Sequence, residues 1–331
     1  MRRLIVFALL AVAVSSATTI PAAAKPRGLN GEIALNSDNN VTGQEQVYLI
    51  NPDGSHPRLL ANDSETGQWS PDGTKLACCG GVVNPDTGVV GPPTFDQLLT
   101  LYPDRLLFCG VWSPDGARLA CEGGFLDQTD ETGGVSQLQG IYTVRSSDGG
   151  DLQRVTSNSD PWGDDCPGDY SPNGKQLVLT RASNDGLALF TVRLDGTGLT
   201  RITPSMELTF APCGNWSPQG NEIVFSARMP AADRGTLWLV HSDGSGLHQI
   251  PVPGCGGAAT LPDGSRNPDA TGCFEPTWSP DGTKILFSRQ RGSEQSDAYI
   301  VNSDGSGLFQ LTHTPDISEG GGAWGTHPVT P

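Results

Sequence analysis

Short apolar runs separated by clusters of turn-forming residues recur along the chain from about residue 31 to its end. Leu76-Ala77-Cys78, Leu119-Ala120-Cys121, Leu177-Val178-Leu179, Ile223-Val224-Phe225 and Ile285-Leu286-Phe287 are one set. Runs this short, bounded by Gly, Pro, Asp and Ser, predict buried strands. Each follows a near-identical pentapeptide: Trp69-Ser70-Pro71-Asp72-Gly73, Trp112 to Gly116, Tyr170-Ser171-Pro172-Asn173-Gly174, Trp216-Ser217-Pro218-Gln219-Gly220 and Trp278 to Gly282. The pentapeptide is a turn: Pro pre-sets one φ, Asp or Asn bonds its own backbone, and Gly takes positive φ. A second set predicts a third strand per unit: Val47 to Ile50, Leu98 to Leu101, Ile141 to Val144, Leu189 to Val192, Leu237 to Val240 and Ala298 to Val301. Asp-Gly turns at Asp53, Asp195, Asp243 and Asp304 then lead into short fourth strands. The second unit lacks the Asp-Gly pair and reads as compressed around Tyr102-Pro103-Asp104-Arg105.

The pentapeptides and a degraded last copy at Trp324 are spaced 43, 58, 46, 62 and 46 residues apart, the period of a propeller blade with loop insertions. Four strands per unit around a ring define an all-β propeller. The first strand, around Ile33-Ala34-Leu35, has no pentapeptide before it, and Trp324 has no strands after it. Pairing the two completes a sixth blade from both chain ends. The predicted fold is therefore a six-bladed β-propeller of four-stranded antiparallel blades, closed by its termini. The equivalent Trp residues are expected to pack between blades.

Units reading Trp-Ser-Pro-Asp-Gly, an apolar strand, an aromatic-containing strand, Asp-Gly-Ser/Thr-Gly and Arg/Gln-Leu-Thr resemble the TolB-like propeller repeat, over residues 25–331. The resemblance implies an exported protein that binds other proteins. It does not extend to the α/β domain that TolB carries before its propeller, for which residues 24–31 leave no room. Related propellers accompany prolyl-oligopeptidase-type hydrolases, whose catalytic domain has no counterpart in the sequence.

Residues 1–24 read as a signal peptide. Arg2 and Arg3 precede an apolar run from Leu4 to Val14, and Ala22-Ala23-Ala24 fits a cleavage site before Lys25. Removing this segment shifts the formal charge from −16 to −18. So acidic a chain disfavours nucleic acid and anionic membranes as partners. The expected localisation is secreted or periplasmic, without membrane insertion after cleavage and as a monomer.

Eight cysteines in an exported chain point to disulfides. Cys255 with Cys273 would staple a long loop, Cys109 with Cys121 would cross a hairpin, and Cys166 with Cys213 would bridge adjacent blades. Buried free thiols are the competing reading at Cys78 and Cys121. Cys78 and Cys79 remain as a vicinal pair or as free thiols.

The pentapeptide turns and Asp-Gly turns fall on one face of such a ring. The long connections, from Gly80 to Asp96, Glu122 to Gly140, Ser157 to Gly168 and Val252 to Phe274, fall on the other, where binding function is expected. Carboxylates gather there just before the innermost strands: Glu65, Asp160, Asp164, Asp165, Asp169, Glu207, Glu275 and Glu319. With Trp162 as an exposed aromatic anchor and His313 as a polar contact, all of these except Glu207 form the candidate binding set for a protein or glycan. No cofactor is expected. Ca²⁺ is the cation such oxygens would suit, although their spacing is not that of a calcium loop, and no metal ligands are assigned. No Gly-x-Ser-x-Gly or His-Glu-x-x-His motif occurs, so no catalytic residue is assigned. The alternatives to a binding module are a carboxylate-based hydrolase or lyase in the channel mouth, and a structural component of a cell-envelope complex.

Overall fold

The computed structural model describes residues 28–39, 42–78, 80–124, 138–158, 164–205, 213–228, 234–256, 263, 265, 267, 271–291, 295–314 and 316–331. Six four-stranded antiparallel sheets form the ring. With strands numbered in chain order, the first blade holds β1 (Ile33–Asn39), β2 (Gln44–Ile50) and β3 (Arg58–Asn62). The second holds β4 (Thr66–Trp69), β5 (Leu76–Cys78), β6 (Gly81–Val83) and β7 (Val90–Gly91). A helix, α1 (Phe95–Leu101), precedes the third blade: β8 (Leu106–Trp112), β9 (Arg118–Gly124), β10 (Gly140–Arg145) and β11 (Gln153–Arg154). The fourth blade holds β12 (Asp165–Tyr170), β13 (Gln176–Ser183), β14 (Gly186–Arg193) and β15 (Thr200–Arg201). The fifth holds β16 (Asn215–Trp216), β17 (Glu222–Ala227), β18 (Thr236–His241) and β19 (His248–Gln249). The sixth holds β20 (Thr271–Trp278), β21 (Lys284–Arg291), β22 (Ser296–Asn302) and β23 (Phe309–Gln310). The last strand, β24 (Ile317–Trp324), returns to the first blade as its innermost strand. It pairs with β1 from Ile33↔Trp324 to Asn39↔Ile317, the closure expected from the two incomplete ends.

Four of the five pentapeptides build the same turn, while at the fifth the Ser217 hydroxyl donates to Asn221 Oδ1 instead. Ser70 Oγ donates to Asp72 Oδ1 (2.6 Å) and accepts the Lys75 amide (2.9 Å), while Gly73, at φ +70°, donates its amide to the Ser70 carbonyl. The pattern repeats at Ser113, Ser171 and Ser279. The turns between third and fourth strands lie beside them: the Ser146 amide donates to the Ala117 carbonyl and its hydroxyl to the Gly116 carbonyl. Both turn types therefore share one face, and the remaining connections share the other.

The core consists of six apolar clusters, each spanning two adjacent blades. Strand alternation explains this: on β17, Val224 faces the sixth blade while Ile223 and Phe225 face the fourth. Every cluster contains one repeat aromatic: Trp69, Trp112, Tyr170, Trp216, Trp278 or Trp324. These rings are inter-blade wedges, as the repeat spacing implied. Trp69 and Trp324 also donate their indole N–H groups to the carbonyls of Ala323 and Gly31.

One expected strand is absent. Residues Leu98 to Leu101 belong to α1, and the third strand of the second blade is β6, followed by β7 after the turn at Asn84 to Gly88. The expected loop from Gly80 to Asp96 accordingly holds two strands and the start of a helix. Thr94 and Gln97 explain the helix: each side chain bonds the other's backbone amide in a capping box. β-branched Val82 and Val83 suit the strand instead. Leu98 then fills the gap between the second and third blades, among Ala77, Val82 and Leu107.

Three disulfides join Cys109 to Cys121, Cys166 to Cys213 and Cys255 to Cys273, the three pairings expected. Cys78 is also disulfide-bonded rather than a free thiol; Cys79 lies outside the described residues.

The inner strands approach so closely that a glycine stands two residues before the repeat aromatic in five blades: Gly67, Gly110, Gly168, Gly214 and Gly322. A Cβ on Gly168 would stand 2.3 Å from the Gly214 carbonyl oxygen, whereas one on Gly124 would meet nothing within 4 Å. Gly168→Ala is expected to lower stability by about 1–3 kcal/mol, the usual cost of overpacking. Gly124→Ala is expected to be much milder, and urea denaturation of the two variants checks the contrast.

Candidate functional site

The loop face opens into a cavity of about 310 Å³ where the first, second and sixth blades meet, a volume within the range of ligand pockets. Its lining residues are mainly polar and include Asp38, Glu45, Glu65 and Glu275, with no Lys, Arg or His among the described residues. The hairpin of β1 and β2 supplies two of these carboxylates, because Asp38 and Glu45 lie directly opposite each other. Like charges facing across a sheet are unfavourable, so this pair is placed against local stability. Glu65 is exposed just before β4.

Glu275 is the most constrained member. It sits at φ +52°, left-handed for a residue with a side chain, where the β20–β21 register shifts between Phe274 and Thr277. Such backbone costs on the order of 1–3 kcal/mol and concentrates at functional sites. The Gly321 amide donates to Glu275 Oε2 at 2.5 Å and the Ser288 hydroxyl at 3.2 Å. Burial raises the carboxyl's pKa, the Gly321 and Ser288 hydrogen bonds oppose the shift, and the charges of Glu65 and Asp38 add to it.

A second groove, of about 250 Å³, lies beside the first between the second and third blades, and Glu65 lines both. Its walls carry Pro93, Phe95, Leu98, Leu107 and Phe108. The Phe95 and Phe108 rings stack 5.6 Å apart, and Phe108 is 57 % exposed. The opposite end of the channel is a pit of about 60 Å³ rimmed by Trp and Pro side chains, room for roughly two waters. Between the ends, Gln68 reaches from the second blade to donate to the Gly168 carbonyl of the fourth (3.2 Å).

The remaining candidate carboxylates act between blades. Asp165 is fully buried; it takes a bidentate pair from Arg181 (2.7 Å each) and hydrogen bonds from Thr156 and Asn158. Thr156 closes the third blade and also accepts the Ile141 amide. Glu319, on β24, repeats this latch at the seam: Thr312 of the sixth blade accepts the Ala298 amide and donates to Glu319, as does Thr314. Asp169 Oδ2 accepts the Trp216 amide of the next blade at 3.0 Å. Asp164 shares a hydrogen bond with Glu122 of the third blade. His313 is exposed near Asp297. Asp160, Trp162 and Glu207 lie outside the described residues. Of the candidate set, the cavity brings together Glu65 and Glu275. Among the described residues no three His, Cys, Asp or Glu side chains converge to hold a metal ion.

A search of protein-family models finds no match to the chain. The uncharacterised protein Atu1656 of Agrobacterium fabrum is 22% identical over 272 residues, covering 78% of this chain and 67% of that one. Among solved structures, TolB of Acinetobacter baumannii superposes with a TM-score of 0.63 at 17% identity, over 89% of this chain. The chain spans 66% of that protein's length. The structure of a putative TolB from Agrobacterium tumefaciens gives 0.56 at 18% identity over 90% of this chain and 99% of that one. The fold is a TolB-like propeller. An oligogalacturonate lyase solved with manganese shares it more distantly, at a TM-score of 0.51 and 12% identity over 85% of this chain and 78% of that one.

Three parts of the TolB-like propeller's loop face lie outside the candidate binding set that the sequence marks. Asp38 and Glu45 lie in the first hairpin rather than before an inner strand; their symmetric placement about Asn40 to Gly43 was the available signal. Glu122 lies on a second strand. Phe108 follows buried Leu107 on β8, so alternation turns it outward, and α1, read as a strand, brings Phe95 onto it.

Burial pushes Glu319 and Glu122 up to about 7, with Asp297 adding to the first and Asp164 to the second. An acid whose pKa rises on folding binds its proton more tightly in the native state, so the stability it contributes is lost as pH rises from about 4.5 to about 7. Glu319→Gln removes the buried charge. The variant is expected to match the wild type near pH 5 and to exceed it at pH 8 by on the order of 1–3 kcal/mol. Denaturant titrations at the two pH values measure this.

Proposed function

We propose that this TolB-like propeller is an extracytoplasmic binding module that receives a protein or glycan partner in its loop-face cavity. The observation that carries the reading is the strained, half-buried Glu275 lining a cavity in which no basic side chain among the described residues neutralises the carboxylates. A rigid ring presenting such a cavity suits recognition, since its walls come from different blades and need no ordering on binding. The fold shared with TolB structures supports a binding role.

Export is supported by the signal-like residues 1–24 and by disulfides, which persist in oxidising compartments. Among the described residues no helix is long and apolar enough to cross a membrane. A secreted or periplasmic monomer fits these features.

Affinity capture from cell-envelope extract tests the reading. The wild type is expected to retain a discrete protein or glycan. Glu65→Gln/Glu275→Gln together should reduce its recovery at least tenfold, and Asp53→Asn on the turn face should leave it unchanged. Equal recovery by all three would remove the cavity from the account. Turnover of a glycoside or uronide panel that depends on Glu275 would make the site that of an enzyme.

A further inference from the structure

The two loop-face depressions differ in character but share a wall. One is acidic, lined by four carboxylates and by no Lys, Arg or His among the described residues; the other is mainly apolar and lined by a stacked pair of phenylalanines. Glu65 stands at the boundary and lines both. Glu65, just ahead of β4, and Phe108, on β8, each stand four residues before the repeat aromatic of their blade, so adjacent blades present a charge and an aromatic ring at equivalent positions.

This combination narrows the ligand. A bare divalent cation needs several oxygens on one point, and no such convergence of three carboxylates exists among the described residues. A neutral sugar would leave the carboxylates uncompensated in a partly enclosed site. An elongated cation followed by an apolar group satisfies both halves, and a polypeptide carries these on neighbouring residues. Phe108 offers no polar tip, and at 57 % exposure it is an unfilled apolar contact.

Building on the binding-module reading, we propose that the joined trench binds an extended segment of a partner protein. An Arg or Lys side chain enters the acidic cavity between Glu65 and Glu275, and an aromatic or aliphatic side chain of the same segment rests on Phe95 and Phe108. Charge complementarity fixes the direction of the segment, and the apolar contact supplies a hot spot beside it.

Synthetic peptides in which Arg and Phe are separated by one to four glycines test this by isothermal titration calorimetry with the purified protein. The controls replace Arg by Glu or Phe by Ser, and a parallel panel contains cello-, malto- and chitohexaose. At least one Arg–Phe spacing is expected to bind tenfold or more tightly than both of its controls. That binding should weaken at least threefold between 50 and 300 mM salt, because the charges are solvent-accessible. Phe108→Ser and Glu65→Gln are each expected to weaken it at least fivefold; both side chains are exposed, so unchanged melting curves should show the fold intact. Peptides that bind no better than their controls, or binding indifferent to both variants, overturn the trench. If a hexasaccharide binds instead and Glu275→Gln abolishes it, the peptide proposal falls while the binding module stands. If neither peptides nor saccharides bind and the envelope extract yields no partner, both fall.

Discussion

The structure depends on the antiparallel pairing of β1 with β24. No blade buries its own faces; each apolar cluster is made by two blades, so six blades in a line would leave two half-clusters open to water. The seam removes both ends at once. It brings Ile33, Leu35 and Trp324 into contact with Leu286 and Ile300 of the sixth blade, and Ala34 and Ala323 into contact with Trp69 and Leu76 of the second. Closure also hides the free edges that an open inner strand would present for association.

The same seam makes the candidate site. Asp38 comes from β1, Glu275 from β20, and the Gly321 amide that holds Glu275 from β24. The cavity therefore exists only once the chain ends have met, and a ligand that fills it stabilises the closed ring by mass action. The latches follow the same economy of parts. A threonine at the end of one blade bonds its own third strand and then the next blade's carboxylate, at Asp165 and again at Glu319. Asp165 is neutralised by Arg181, whereas Glu319 is not, so the chain's closing strand carries a carboxyl whose charge works against closure above neutral pH.

Blade number, seam and the packing of the repeat tryptophans could be read from the sequence because the turn chemistry of Trp-Ser-Pro-Asp-Gly sets strand order in each unit alike. Two of the disulfides could be read because they pair positions that the repeat places side by side, and the third because Cys255 and Cys273 bracket one long loop. Leu98 to Leu101 escaped because an apolar run suits helix and strand equally; the capping signal of Thr94 and Gln97 decides it, together with the strand-forming Val82 and Val83. The site was only half legible. Carboxylates before inner strands look alike in sequence, but the β-bulges decide where each points. A bulge turns Glu275 into the cavity, while Asp165, ahead of the bulge on its own strand, stays within the blade interface. Such bulges depend on how closely neighbouring strands approach the axis, a long-range property that local sequence does not carry.

Hydrogen–deuterium exchange followed by mass spectrometry addresses the seam most directly. Peptides covering 33–39 and 317–324 should be protected to the same degree as the central strands and should lose protection together with them as denaturant is raised. Rapid exchange of 317–324 in the native protein, with the other blades still protected, would contradict closure of the ring by its two ends and remove the cavity built upon it.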